Sequence, residues 1–594
     1  MLQKNYNLNT FWAELIIEEL IRNGVDYFCI SPGSRSTPLI AAIARNKKAK
    51  KIICFDERGS AFHALGYAQA KNKPAAVIVT SGTAVANLFP AIVEAYQNNI
   101  PMIALTADRP PELMDVGANQ TINQVKIFGM YAKWYFNFPC PDKNISPKMV
   151  LTTVDYAVYL SLNSPSAPVH LNCMFREPLE PLEFNEDYVD KKYVEDINHW
   201  IMENKPYTSY INSKKITGDI NDIKYVSEII NQENKGLVSV GRLKNNEERK
   251  TVLEFIKKIN WPVYADITSN LRLNEYVDTN IIKHFDQEFL SSDFNKKAAP
   301  KTVIHFGGRI TSKRFDQFLN QNKPENYIII KDNPVRYDPV HLITRHIECD
   351  IVYFCKNISS LIKTDKKNSF KDFYEIKAKK AQEIIDHNIE NEVKASEVFI
   401  SRFISEEIPD NSCLFLSNSM PVRDVELYGK SSDKDIIIGT NRGVSGIDGI
   451  ISSAIGFAAG CNKVCTLLIG DLAFIHDLNA LATIKSVKVP LITVLINNNG
   501  GGIFDFLPIS KFNDIFEKYF ITPHDLNFKN IAKTFNINYY SVFTNIDFSK
   551  AYKDALNIAK ITSKSALIEV FSEREINLRI RKKIKNEILD MLEK

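Results

Sequence analysis

The sequence predicts an α/β protein with three domains, each built on a parallel sheet. Short, wholly apolar runs such as residues 491–496 are typical of parallel strands that are buried on both faces. These runs alternate with amphipathic stretches of helical length in the first, middle and last parts of the chain. At 594 residues the chain is also too long for one hydrophobic core. We therefore expect domains over residues 1–180, 181–365 and 366–594.

The first domain is predicted to open with a surface helix over residues 11–21. Asn9 or Thr10 would cap this helix, and Gly24 would end it. A later stretch, residues 56–68, has small residues at positions 61, 64, 66 and 68, which predicts a helix that can pack closely against a neighbour. Glu57 lies in its first turn. The strands predicted for this domain cover residues 27–30, 51–55, 102–105 and 169–172.

The middle domain is predicted to follow a polar linker over about residues 177–222. A helix ending at Ile259 separates the early strands of this domain. Its predicted strands cover residues 237–240, 263–266, 302–306 and 327–330. No GxGxxG motif follows these strands, which argues against a nucleotide site. The charge-dense stretch 363–394 is predicted to be a solvated connecting helix.

The overall composition is that of a soluble protein. Hydrophobic residues make up 45% of the chain and charged residues 24%. The net charge of +4, from 74 basic and 70 acidic residues, gives no general attraction to nucleic acid. Nine cysteines without a CxxC pair predict reduced thiols in a cytosol-like compartment. We expect no targeting segment and no membrane span, since no run approaches the ~18 apolar residues that a span requires.

Two polar residues of the last domain follow neighbouring predicted strands. Asp471 comes after strand 464–469, and Asn498 comes after strand 491–496, with a helix predicted over 477–487 between them. The carboxyl ends of parallel strands meet at one edge of a sheet, where α/β proteins bind ligands. A carboxylate and an amide oxygen suit Mg²⁺. Either residue alone would fit an ordinary polar loop, whereas the pair favours a metal site.

The spacing of Gly470-Asp471 and Asn497-Asn498 resembles the cofactor motif of thiamine-diphosphate enzymes, with Leu472 where many members have Gly. The resemblance implies the three-domain fold of thiamine-diphosphate decarboxylases. It also implies that Asp471, Asn498 and the backbone carbonyl of Gly500 hold Mg²⁺, or Mn²⁺ in its place, and through it thiamine diphosphate.

Glu57 matches the glutamate that this family places against the aminopyrimidine ring, where it shares a proton with N1′. Such a carboxylate needs shelter from water, because proton transfer works best when the pKa lies near the working pH. The alternative for an isolated glutamate is a favourable contact with the positive end of a helix.

Two segments of the chain also look alike. Gly82 leads through a helix to Pro101 in 19 positions, and Gly470 leads to Pro490 in 20. This predicts two related domains, although all βαβ units share a similar period. In the family one domain holds the pyrimidine and the other the diphosphate. The resemblance therefore implies a C2 homodimer, or a pair of such dimers, with Glu57 of one chain and Asp471 of its partner in each site.

Five segments resemble one branch of the family, the carboligases of the menaquinone pathway. They cover residues 31–38, 106–113, 117–122, 441–449 and 497–504. This resemblance implies decarboxylation of 2-oxoglutarate and 1,4-addition of the resulting succinyl-semialdehyde unit to isochorismate.

Both of these substrates are dianions, so their site requires several cationic groups, and Arg offers a fork that matches a carboxylate. The resemblance implies that Arg423 and Arg442 hold the distal carboxylate of the 2-oxoglutarate unit. Ile447 would be the apolar wedge that bends the cofactor, and the backbone near Ser419 would meet the aminopyrimidine. The residues expected to face isochorismate are Ser34, Arg35, Arg109, Asn119, Gln120 and Lys313.

Three alternatives stay open at this point. For each Arg taken alone, a surface ion pair is the commoner role. Another thiamine-diphosphate 2-oxoacid decarboxylase or carboligase would share Glu57, Asp471 and Asn498, but pyruvate has no distal carboxylate for the arginines to hold. A non-catalytic cofactor-binding protein would have no need to keep all three residues.

Overall fold

The computed structural model describes residues 7–184, 189–211, 216–274, 276, 279–363, 368–390 and 392–594. The chain divides into two compact units. The first contains Met1–Asn212, Asn441–Asn462 and Ile475–Val489, and the second contains Ser213–Thr440, Lys463–Phe474 and Pro490–Lys594.

The first unit is built on a six-stranded, wholly parallel sheet with strand order β2-β1-β3-β4-β6-β5. Its strands are β1 (Tyr27–Ile30), β2 (Lys50–Ile53), β3 (Ala75–Val79), β4 (Met102–Asp108), β5 (Trp134–Phe138) and β6 (Pro168–Met174). Side chains of β1 alternate between two apolar clusters, with Phe28 and Ile30 in one and Tyr27 and Cys29 in the other. The alternation shows that both faces of this sheet are covered.

Helices connect and cover these strands. They are α1 (Leu8–Arg22), α2 (Thr37–Arg45), α3 (Glu57–Lys71), α4 (Thr83–Ala86), α5 (Phe89–Gln97), α6 (Pro147–Leu162), α7 (Lys191–Glu195), α8 (Asn198–Met202) and, from later in the chain, α18 (Ile450–Cys461). Short 3₁₀ helices of this unit cover Ser34–Ser36, Pro111–Leu113, Gly129–Tyr131 and Leu478–Ser486.

The second unit contains two parallel sheets. The five-stranded sheet has the order β11-β10-β9-β7-β8 and the six-stranded sheet has the order β13-β12-β14-β15-β17-β16. The strands of the first are β7 (Gly236–Val240), β8 (Val263–Ala265), β9 (Thr302–Phe306), β10 (Asn326–Lys331) and β11 (Arg345–Glu348). Those of the second are β12 (Ser412–Leu416), β13 (Ile436–Gly439), β14 (Cys465–Gly470), β15 (Leu491–Asn497), β16 (Asn538–Val542) and β17 (Ala566–Phe571). Three parallel sheets with helices between their strands confirm the predicted fold class.

The remaining α-helices are α9 (Ile220–Gln232), α10 (Asn246–Ile259), α11 (Phe285–Glu288), α12 (Ser292–Lys297), α13 (Lys313–Gln321), α14 (Ile351–Ser359), α15 (Ser369–Glu390), α16 (Glu397–Glu407), α17 (Met420–Tyr428), α19 (Asp471–His476), α20 (Asn513–Phe516), α21 (Lys529–Thr534), α22 (Asn545–Thr562) and α23 (Arg574–Glu593). Across the residues that the structure describes, no helix combines the length and the apolar character needed to cross a bilayer. All nine cysteines are free thiols.

Helices α3 and α18 of the first unit pack at very short range. A Cβ placed on Gly66 would lie 2.0 Å from the backbone oxygen of Ser453, and one placed on Gly456 would lie 2.0 Å from that of His63. The close packing predicted from the small residues of α3 is therefore confirmed, and it fixes the helix that begins at Glu57.

The first helix starts earlier than predicted. Its N-cap is Asn7, whose Oδ1 accepts a hydrogen bond from the backbone N–H of Thr10 at 2.9 Å. Asn9 lies inside the helix instead and donates through its side chain to the carbonyl of Arg176 at 2.6 Å. Gly24 has φ of +84°, as its predicted role at the end of the helix requires.

The helix predicted over residues 477–487 is present, but it is a 3₁₀ helix and a second helix precedes it. The chain forms α19, which starts at Asp471, and then the 3₁₀ helix Leu478–Ser486. Asp477 separates them with φ of −124°, because its buried carboxylate accepts hydrogen bonds from the backbone N–H and the hydroxyl of Ser452 at 2.7 and 3.1 Å. This tertiary contact lies at the junction of the two helices.

The predicted polar linker and the predicted solvated helix are both partly buried. Within the predicted linker, Val194, Ile197 and Trp200 join the apolar core of the first unit. The charge-dense stretch does form a helix, α15, but Tyr374 and Ile385 on one face are buried in a core shared with α23. In both segments, a narrow stripe of apolar residues is outnumbered by the polar and charged residues around it.

Candidate cofactor and substrate sites

The structure brings Asp471, Asn498 and Gly500 together at one edge of the third sheet. Strands β14 and β15 are parallel neighbours, with Gly470 paired in register with Ile496. Asp471 therefore follows one strand and Asn498 the next at the same edge, as the sequence predicts.

The carboxylate of Asp471 is buried and held by three donors. Its Oδ1 accepts from the backbone N–H of Leu472 at 2.7 Å. Its Oδ2 accepts from the backbone N–H of Gly500 at 2.9 Å and from Nε2 of His524 at 3.2 Å. Burial still raises the pKa of Asp471, although these donors act in the opposite direction. A bound cation would favour the ionised form.

Asn498 and Gly500 both carry features that fit a metal ligand. Oδ1 of Asn498 is buried and has no hydrogen-bond partner among the described residues, while its Nδ2 donates to Glu397 at 2.9 Å. A buried acceptor left without a partner costs about 1–3 kcal/mol, so its presence points to a ligand. Gly500 has φ of +133°, and a Cβ there would lie 2.0 Å from the backbone oxygen of Ile521. Only glycine allows this turn to pack so closely against the backbone of Ile521.

This donor set fits one hard divalent cation. It offers a carboxylate, an amide oxygen and the carbonyl of Gly500, which accepts from Gly502 at 2.9 Å and retains a second lone pair. In the part of the chain that the structure describes, no group of three or more His, Cys, Asp or Glu side chains could hold a metal. A site with one carboxylate is therefore the kind that these residues can form.

His524 is a neighbour of this site that the sequence did not reveal. The backbone N–H of Leu526 donates to its Nδ1 at 3.0 Å, so the ring proton is on Nε2 and points to Asp471. Oδ1 of Asn499 accepts from the backbone N–H groups of His524 and Asp525 at 2.9 and 2.8 Å and so anchors the segment. Asn499, the last residue of the triple Asn, was the only sequence signal.

Glu57 lies in the first turn of α3, as predicted. Asp56 caps this helix and accepts from the backbone N–H of Arg58 at 2.8 Å. Oε2 of Glu57 accepts from Nδ2 of Asn87 at 3.2 Å. The side chain is only partly buried in the single chain, so the shelter from water that its predicted role requires is incomplete.

Arg35 and Arg109 are buried guanidinium groups of the first unit. Arg35 is 4% exposed, donates to the carbonyl of Phe175 at 2.9 Å, and keeps a buried Nε that has no hydrogen-bond acceptor among the described residues. Arg109 is 8% exposed and donates to the carbonyl of Asn119 at 2.9 Å. Burial lowers the pKa of Arg35, and the charge of Arg109 lowers it further. Two cations that close together favour an anion beside them.

The loops around these arginines converge at the carboxyl edge of the first sheet. Ser34, Asn119 and Gln120 are exposed there. A Cβ on Gly82, which follows β3, would lie 3.0 Å from Cγ of Gln120. Three further hydroxyl groups that sequence reasoning missed are buried without a hydrogen-bond partner in the described structure, those of Ser31, Thr80 and Ser81.

A buried glutamate that sequence reasoning missed shapes the loop with Arg442 and Ile447. Glu94 accepts from the backbone N–H groups of Gly443 and Val444 at 2.6 and 2.7 Å. Burial raises the pKa of Glu94, and Arg442 is among the groups that lower it. Ile447 is half-buried in this loop.

Arg423, Ser419 and Lys313 belong to the second unit. Ser419 has φ of +69° and precedes α17, and its backbone oxygen accepts from Nη1 of Arg423. The guanidinium of Arg423 lies in a poorly solvated position, and this burial lowers its pKa. Lys313 is exposed at the start of α13. Arg314 beside it pairs with Asp286 at 2.6 Å.

Family models match three successive parts of the chain. The N-terminal TPP binding domain of thiamine pyrophosphate enzymes matches residues 12–127, the middle domain of thiamine pyrophosphate matches 191–416, and the C-terminal TPP binding domain of thiamine pyrophosphate enzymes matches 437–570.

Known proteins resemble the chain over nearly its whole length. A protein of Prosthecochloris aestuarii named 2-succinyl-5-enolpyruvyl-6-hydroxy-3-cyclohexene-1-carboxylate synthase is 41% identical over 99% of this chain and 98% of its own length. A protein of Chlorobium phaeovibrioides with the same name is 41% identical over 97% of both. An X-ray structure of a thiamin diphosphate-dependent enzyme of Mycobacterium smegmatis, 16% identical, matches with a TM-score of 0.68 over 95% of this chain and 99% of that chain, which shows the shared fold.

Proposed function

This chain belongs to the thiamine-diphosphate-dependent 2-succinyl-5-enolpyruvyl-6-hydroxy-3-cyclohexene-1-carboxylate synthases, and we propose that it catalyses their reaction in menaquinone biosynthesis. As a transferase it decarboxylates 2-oxoglutarate and adds the succinyl-semialdehyde unit to isochorismate in a 1,4 sense, with release of CO₂. The observation that carries the proposal is the buried, unpartnered Oδ1 of Asn498 beside Asp471, at the edge where the family holds its cofactor.

Asp471, Asn498 and the carbonyl of Gly500 would hold Mg²⁺, or Mn²⁺ in its place, and through it the diphosphate. When bound, the cofactor supplies the electron sink that decarboxylation of a 2-oxoacid requires. Glu57 holds a proton at N1′ of the pyrimidine. Ile447 would be the apolar side chain that packs against the cofactor, and the backbone at Ser419 would contact its aminopyrimidine.

Cationic side chains select the two dianionic substrates. Arg423 and Arg442 bind the distal carboxylate of 2-oxoglutarate. The half-buried position of Arg423 supports this role, because a substrate carboxylate would offset the cost of holding this charge away from water. The residues that bind isochorismate are Ser34, Arg35, Arg109, Asn119, Gln120 and Lys313.

The working form in this proposal is a cytoplasmic C2 homodimer, alone or as a dimer of dimers. The incomplete burial of Glu57 in a single chain supports it, since a partner could complete the shelter of this carboxylate.

The test is an assay of the purified protein with thiamine diphosphate, Mg²⁺, 2-oxoglutarate and isochorismate, with each component omitted in turn. We expect the named product, identified by mass, only in the complete mixture. Absence of that product, in a sample shown to bind cofactor, would refute the proposed reaction.

A further inference from the structure

Glu397 is a buried acid beside the amide of Asn498. It is the first residue of α16 and is 7% exposed. Its Oε1 accepts from Nδ2 of Asn498 at 2.9 Å, and its Oε2 accepts from Nη2 of Arg581 at 2.7 Å. Both oxygens of Glu397 are thus engaged, one by an amide and one by a cation.

This arrangement determines which end of the amide faces which neighbour. A primary amide has one donor end and one acceptor end, whereas a carboxylate paired with Arg581 only accepts. Glu397 therefore takes the NH₂ group of Asn498, and Oδ1 is turned away from it. Oδ1 is the atom that is buried without a partner in the described structure.

We propose that Glu397 is a positioning residue of the metal site, which fixes the amide of Asn498 with Oδ1 presented as the ligand. The inference rests on the proposed function only in taking a divalent cation as the partner of Oδ1. Glu397 touches neither metal nor substrate in this account. It acts through Asn498, as acceptors behind a metal ligand do in other sites.

Glu397 is fixed by contacts on the side away from Asn498, so its carboxylate cannot rotate together with the Asn498 amide. Its backbone N–H donates to Oδ1 of Asn577 at 2.8 Å. Arg581 is 7% exposed and bonds Asp424 through both terminal nitrogens, Nη2 to Oδ2 at 2.8 Å and Nη1 to Oδ1. A bidentate pair of this kind fixes direction as well as charge.

The competing explanation is that Glu397 only stabilises α16, as an acid in the first turn of a helix does. The two explanations differ in what they predict for metal affinity. If Glu397 only stabilised the helix, its substitution would lower thermal stability and leave the affinity for Mg²⁺ unchanged.

The test is a calorimetric titration of Mg²⁺ into the Glu397→Gln variant and the wild-type protein, both saturated with thiamine diphosphate. Gln can donate as well as accept, so the amide of Asn498 is no longer held in one orientation. We expect the Mg²⁺ affinity to fall roughly 10- to 100-fold, the usual effect of removing a group behind a metal ligand. Glu247→Gln is the matched control, an exposed first-turn acid of α10, and should leave the affinity unchanged.

Should Glu397→Gln not fold, Glu397→Asp keeps the charge and withdraws the acceptor by one methylene. We expect it too to bind Mg²⁺ more weakly. Wild-type affinity in a folded variant of either kind would overturn the proposal. Wild-type protein that binds Mg²⁺ and cofactor but makes no product would refute the proposed function alone, and wild-type protein that binds no Mg²⁺ would overturn both.

Discussion

The contacts of Asn498 and Asp471 include side chains that the sequence motif does not indicate. The sequence places Asn498 beside Asp471 because parallel strands end at one edge of a sheet. It does not predict Glu397, which lies 101 positions away, or His524, which lies 53 positions from Asp471. Neither has a fixed spacing from the motif, since both arrive through tertiary packing. The local sequence pattern therefore predicts the proposed ligands, but it does not predict the groups that contact them.

Glu57 is the residue whose proposed role can be isolated most simply. Glu57→Gln should still bind cofactor and Mg²⁺ but lose roughly two to four powers of ten in turnover, the usual contribution of a positioned acid–base group. Steady-state rates and cofactor titrations measure the two effects separately. Near-normal turnover would remove Glu57 from the proton transfer.

Arg423 and Arg442 should determine the choice of 2-oxoacid. Arg423→Ala or Arg442→Ala should weaken use of 2-oxoglutarate by roughly 2 to 5 kcal/mol in kcat/KM, because a buried carboxylate loses its partner. Pyruvate, which lacks a distal carboxylate, should be affected much less. Arg579→Ala is the control, since that side chain is 67% exposed. Equal losses with both acids would show that these arginines are structural.

At the scale of elements, the strands were the easiest feature to predict. β1 and β9 have the bounds that the sequence predicts, because a buried parallel strand is a short apolar run. The cap of α1 was wrong, since the contact of Asn9 with Arg176 outweighs local preference. The helix predicted over 477–487 is a 3₁₀ helix, and α19 precedes it. Apolar patterns thus predict the positions of strands and helices better than they predict the residues at which these begin and end.

The packing of helix α3 should affect turnover, because this helix begins at Glu57 and packs on α18 through Gly66. Gly66→Ala places a methyl group against the backbone of Ser453, which cannot move as a side chain would. We expect a lower melting temperature, from a destabilisation of roughly 1–3 kcal/mol, and a lower turnover as Glu57 shifts. Lys71→Ala, at the exposed end of the same helix, should change stability by less than about 0.5 kcal/mol. Unchanged melting of the Gly66 variant would mean that the helices can separate without cost.

At the scale of the whole molecule, the proposed dimer places Glu57 of one chain with Asp471 of its partner. Inactive Glu57→Gln and Asp471→Ala chains, mixed and allowed to re-form dimers, would then place both defects in one site and leave the other intact. With random pairing, half of the dimers are mixed and one site in two works, which gives roughly a quarter of wild-type activity if the sites are independent.

Differently tagged chains provide the control for this experiment, because they show whether subunits have exchanged. Proven exchange without recovery of activity would mean that each site is built within one chain. The three-domain boundaries stay a prediction, to be tested by limited proteolysis near residues 180 and 365.

The central claim is that decarboxylation and carbon–carbon bond formation are coupled at one site. The most direct measurement follows 2-oxoglutarate labelled with ¹³C at C1 or at C2 through the reaction with isochorismate. We predict that the C1 label appears in CO₂ and the C2 label in the product, in a one-to-one ratio. Release of labelled CO₂ with the C2 label in succinic semialdehyde alone, or no release of CO₂, would contradict the account.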